Sequence, residues 1–79
     1  ESSMASIYPN PTNDILNLNF MSSKNTENKF IIKDATGRAV SQGVITTGVK
    51  NINVQNLAKG VYTLTLVADD KTVLRFIKR

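Results

Sequence analysis

Cysteine and histidine are absent from the sequence, and each absence removes a class of function. Without cysteine there is neither a disulfide framework nor a thiolate metal site, so stability has to come from packing and redox chemistry says nothing of compartment. Without histidine, a serine such as Ser22, Ser23 or Ser41 has no imidazole base, which excludes the usual hydrolase triad. Carboxylates are few: Glu1, Asp14, Glu27, Asp34, Asp69 and Asp70. General acid/base chemistry needs two of them held across a cleft, and a domain this small rarely has one. No apolar run approaches the roughly 20 residues that cross a bilayer, and the opening ESSMASIYPNP lacks the basic and apolar pattern of a signal peptide. The expectation is a soluble domain with one core, because 79 residues cannot divide their interior in two.

What is present begins with charge. The net charge is +4, from Lys24, Lys29, Lys33, Arg38, Lys50, Lys59, Lys71, Arg75, Lys78 and Arg79. These ten are spread at wide intervals, with neither an aromatic stacking platform nor a basic helix. Solvated strand faces and protected sheet edges explain them better than nucleic acid does, and no nucleic-acid partner is expected.

The apolar residues alternate with a period of two, which is the signature of half-buried strands. DILNLNF sets Leu16, Leu18 and Phe20 against Asn17 and Asn19; NKFIIKD sets Phe30 and Ile32 against Lys29, Ile31 and Lys33. GRAVSQGVI is interrupted by Gly43, which predicts a bulge or a close backbone approach, and NINVQNL carries Ile52, Val54 and Leu57. GVYTLTLVA places Tyr62, Leu64 and Leu66 inward and Val61, Thr63, Thr65 and Val67 outward. A short first strand around Ser6 to Tyr8 stops at Pro9 and Pro11, which lack the N–H that a ladder needs. Asp34 and Gly37 suit a hairpin turn between the third and fourth strands, and Gly48 and Gly60 punctuate the rest. Seven such strands predict an antiparallel β-sandwich of the small, immunoglobulin-like kind.

The last hairpin permits a choice of register. An even loop would bury Arg75 beside Leu64, whereas an odd loop such as Asp69-Asp70-Lys71 pairs Leu66 with Leu74 and Leu64 with Phe76. The odd register sends Val67, Val73, Arg75 and Ile77 outward with Val61. That stripe reads either as ordinary scattered aliphatics or as a recognition surface. Asp69 and Asp70 suit a turn better than a calcium site, which takes six or more oxygens.

Four segments, YPNPTNDILNLNF from Tyr8, IIKDATGRAV from Ile31, NINVQNLAKGVYTLTL from Asn51 and the ending VLRFIKR, occur in this order over most of the chain. The ordered set resembles the C-terminal sorting domain of the type IX (Por) secretion system, type A. Proline turns and Gly-Val-Tyr strands are common singly; their order, followed by a basic chain end, is specific.

The resemblance implies a secretion signal rather than an enzyme, with no cofactor or metal. Domains of this family stand at the C-terminus of secreted cargo in Bacteroidetes-type bacteria and direct it through the periplasm and across the outer membrane. The implied partners are the type IX translocon, an outer-membrane shuttle protein and a sortase that commonly removes the domain while joining cargo to surface lipopolysaccharide. Residues 1–6 then read as linker remnant and 7–79 as the sorting domain, a monomer or weak dimer attached to cargo on its N-terminal side. Carried onto this chain, the recognition residues are Gly60, Val61 and Tyr62 of the sixth strand and Val73, Arg75, Ile77, Lys78 and Arg79 of the last. The competing reading is an immunoglobulin-like accessory or adhesion module that binds protein or glycan. Glycan binders usually offer exposed aromatics, and with Phe20, Phe30, Tyr62 and Phe76 assigned inward only Tyr8 remains as a platform.

Overall fold

The computed structural model of the chain describes residues 3–22, 27–67 and 69–79. Seven strands run in order: β1 (Ser3–Tyr8), β2 (Ile15–Ser22), β3 (Asn28–Lys33), β4 (Ala39–Ile45), β5 (Gly48–Asn53), β6 (Gly60–Leu66) and β7 (Asp69–Lys78). They form a smaller sheet, β1-β2-β5, and a larger one, β4-β3-β6-β7, antiparallel throughout. The chain leaves the smaller sheet after β2, makes the β3–β4 hairpin in the larger, returns for β5 and crosses back for β6 and β7. This is the strand alternation of an immunoglobulin-like sandwich in which the fourth strand pairs with the third. β1 starts at Ser3 and pairs with β2 from there, three residues before the expected start at Ser6.

Period-two patterning becomes a core because each sheet has one inward face. Leu16, Leu18 and Phe20 of β2 meet Phe30 and Ile32 of β3, with Ile45, Ile52, Val54, Tyr62, Leu64, Leu66 and Phe76 completing the cluster. Leu57 is partly buried against it. Fully burying one such side chain contributes about 1.5–3 kcal/mol, so a domain without disulfides depends on most of these contacts being made.

Gly43 resolves as the close approach. It lies opposite Phe30, and a Cβ there would stand 2.7 Å from the ring's Cζ. The phenyl ring covers the glycine, so the missing side chain is what lets Phe30 lie flat in the core. The bulge sits elsewhere, between Ile32 and Lys33, where β4 supplies one extra residue at Val40.

The register of the last hairpin differs from the expected one by two residues. Leu64 pairs with Leu74 and Tyr62 with Phe76, instead of Leu66 with Leu74 and Leu64 with Phe76. The N–H of Val67 donates to the Lys29 carbonyl oxygen at 2.8 Å, so β6 stays committed to β3 beyond Leu66. Leu66 then pairs with Asp69, and the surplus residues are taken up as an irregularity in β7 rather than in the loop. Because side chains alternate, a shift of two leaves every face as it was. Phe76 is buried, Leu74 is half-buried, and Val73, Arg75 and Ile77 are exposed.

The segment after β1 does more than end a strand. The Asn10 side chain donates from Nδ2 to the Arg75 carbonyl oxygen (3.2 Å) and accepts from the Ile77 N–H at Oδ1 (3.0 Å). The Thr12 N–H donates to the Ile77 carbonyl oxygen and the Arg79 N–H to the Thr12 carbonyl oxygen, both at 2.9 Å. Thr12 is itself buried, its hydroxyl donating to the Ile15 carbonyl oxygen at 2.7 Å. A short surrogate strand thus lies parallel to the outer edge of β7 and occupies hydrogen-bonding groups that an unprotected edge would offer to another chain.

Candidate functional site: the outer face of the larger sheet

Strand register decides which side chains share the outward face of the larger sheet. Reading across it, Val61 stands beside Ile77, Thr63 lies between Lys33 and Arg75, Thr65 lies between Ile31 and Val73, and Lys29 stands beside Val44. Val61, Val73 and Ile77 are 43%, 52% and 46% exposed. Lys29, Lys33 and Arg75 are also exposed, and no described carboxylate stands in these cross-strand rows. Among the described residues the face is therefore rich in β-branched side chains and cationic.

The residues singled out in the sequence divide between this face and the interior. Val61, Val73, Arg75 and Ile77 come together on the outer surface of the β6–β7 hairpin. Gly60 opens β6 at φ 154°, a backbone conformation that side chains rarely adopt. Tyr62 is buried, stacks on Phe76 at a centroid distance of 5.5 Å, and donates its hydroxyl to the Ala58 carbonyl oxygen at 2.6 Å. Its role is the corner that ties the β5–β6 connection to the sheet. Arg79 is exposed, with its backbone held by Thr12.

Lys78 departs from the solvated position expected of the basic residues. It is only 8% exposed, on the inward side with Leu74 and Phe76, and its Nζ donates to the Arg79 carbonyl oxygen at 2.8 Å. The aliphatic stem packs while the ammonium reaches the rim, as long cationic side chains do. Alternation along β7 already carried the signal: Leu74, Phe76 and Lys78 share one parity.

The remaining polar features are accounted for by turns. Asp34 Oδ1 accepts from Thr36 Oγ1 (2.6 Å), Thr36 N–H (3.0 Å) and Arg38 N–H (3.0 Å), and Oδ2 lies 3.4 Å from Arg38 Nε. The Thr36 hydroxyl, followed by the Arg38 N–H, holds this carboxyl below its ordinary range. Gly37 follows at φ 90°, as the hairpin turn requires. A depression of about 270 Å³ beside the β4–β5 connection is lined by residues that include a single carboxylate, Glu27. Among the described residues that line it there is no second carboxylate for acid/base work. Among the described residues no three metal-ligating side chains gather, and the side chains of Asp69 and Asp70 lie outside the described set.

The hydrogen bonds of Asn10 and Thr12 to β7 were missed by sequence reasoning, which saw only prolines ending a strand. A polar residue between two prolines was the available signal, since Asn10 can ladder through its side chain where its neighbours have no N–H.

No curated protein and no solved structure matches the chain. The model of one family, described as the secretion system C-terminal sorting domain, matches residues 6–79. That span takes in β1 from Ser6 onward, the latch formed by Asn10 and Thr12, and β2 to β7 in full. The chain belongs to this family of sorting domains, a family of signals for type IX secretion rather than an enzyme family.

Proposed function

We propose that the outer face of the β6–β7 hairpin is the part of this signal read by the type IX translocon and its outer-membrane shuttle. Cargo attached on the N-terminal side is carried through the periplasm to the cell surface, where a sortase cuts upstream of the domain. The observation that supports this reading is the register of β6 on β7, which gathers Val61, Val73, Arg75 and Ile77 on one exposed surface. Tyr62 and Gly60 contribute by shaping the hairpin, and Lys78 by packing beneath it.

The test is export of a reporter carrying this domain at its C-terminus, in a bacterium with a type IX system. The wild-type fusion is expected at the surface or in the medium. Val73→Ser combined with Ile77→Ser removes exposed apolar area worth about 25 cal/mol per Å² while leaving Leu74 and Phe76 in place, so the thermal midpoint should hold as export falls. Normal export by a stably folded double variant would remove the hairpin surface from consideration.

A further inference from the structure

The hairpin covers only half of the larger sheet, and the pattern continues across β3. Lys29 and Lys33 point to the same side as Arg75, with Ile31 between them, and Lys33 is joined to Arg75 through Thr63 in one cross-strand row. The apolar residues between the cations are short and β-branched: Ile31, Val44, Val61, Val73 and Ile77 with Thr63 and Thr65. The smaller sheet offers a contrast, because its outward residues Ser6, Tyr8, Ile15, Asn17, Asn19, Met21, and Val49, Asn51 and Asn53 carry no charge. Among the described residues, cations share the outward positions of one sheet and not those of the other, which is not the pattern of a uniform solubilising coat.

We infer that the whole outer face of the larger sheet, including Lys29 and Lys33, docks flat against a carboxylate-bearing protein surface. The complement of this face is an apolar patch edged by acidic side chains, since like charges across an interface repel and opposite charges steer encounter. A lipid surface fits less well. Membrane-surface segments insert Trp, Phe or Leu beneath a dense row of cations, and this face has none of those residues. The inference rests on the sorting reading, and it extends the recognised surface from the hairpin to β3.

Two charge-matched double variants of the same reporter fusion test it. Lys29→Glu with Lys33→Glu and Lys50→Glu with Lys59→Glu each take the net charge from +4 to 0, two reversals of two units each. All four lysines are exposed, so both variants are expected to keep the wild-type thermal midpoint. The β3 pair should lower export at least about tenfold, the Lys50/Lys59 pair should leave it unchanged, and Lys29→Arg with Lys33→Arg should restore it. Normal export by a folded β3 variant overturns the inference while leaving a hairpin-only signal standing. Equal loss in both reversed variants also overturns it, because net charge rather than this face would then matter. Retention of the wild-type fusion in the periplasm defeats the sorting reading and the inference together. Binding of the purified domain to phosphatidylglycerol vesicles at physiological salt, abolished by the β3 reversal, would replace the protein surface with a lipid one.

Discussion

The two outer faces of this sandwich are built from the same backbone and the same period, yet they differ in chemistry. The smaller sheet shows amides: Asn17 stands between Tyr8 and Asn51, and Asn19 between Ser6 and Val49. The larger sheet shows β-branched aliphatics and three cations, Lys29, Lys33 and Arg75. Beneath both lies one shared core. Outward positions are free of the core's packing, so the two faces can differ in chemistry while sharing one fold.

The comparison depends on inward and outward positions being separable, and the largest effect tests that first. Leu64 is fully buried and should cost about 2–5 kcal/mol as Leu64→Ala, whereas its neighbour in Thr65→Ala, on the outer face, should cost under about 1 kcal/mol. Similar denaturation midpoints for the two would mean that the faces are wrongly divided. Next in size, Gly43→Ala brings a methyl to 2.7 Å from Phe30 Cζ and should destabilise by about 1–3 kcal/mol. An unchanged midpoint would show that the Phe30 ring moves aside freely.

How these faces were legible without coordinates is instructive. Alternation in DILNLNF and NKFIIKD was sufficient for β2 and β3, because a sandwich strand has one wet side and one dry side. The last hairpin survived a register error of two residues for the same reason: Leu64 and Phe76 stay inward whether or not they face each other. Lys78 was read from its charge instead of its place in the alternation, and there the period was the better guide. The assignment of individual strands to one sheet or the other and the latch on β7 were illegible, since neither leaves a local pattern. Which edge β7 occupies depends on pairings made across the whole chain. As for the candidate site, the sequence indicated the hairpin stripe but not that Lys29 and Lys33 share its face, because β3 becomes its neighbour only in the fold.

Smaller effects sharpen the contrast. Asn17→Ser with Asn51→Ser alters the amide face, and stability should stay within about 0.5 kcal/mol of wild type with export unchanged. Lost export from that folded variant would make the smaller sheet a recognition surface too. The smallest effect belongs to the β3–β4 turn. Since Asp34 has a lowered carboxyl pKa in the folded chain, its contribution to stability is complete above the ordinary value of 3.8 and is lost as pH falls through the folded value. Thermal midpoints of wild type and Asp34→Asn should therefore differ slightly near neutrality and converge in strong acid. A gap that persists in acid would show that the carboxylate charge is not its source.

The Asn10 and Thr12 bonds to β7 have a mechanical meaning for a domain tied to cargo. Their surrogate strand runs parallel to β7, so tension between a chain entering at β1 and the end of β7 draws the two segments past one another lengthwise. Bonds pulled in that direction share the load together, whereas an antiparallel pair pulled from its open end unzips one bond at a time. The bonds of Asn10 and Thr12 therefore set the order in which the domain would open under such tension, with β7 held until they give way together.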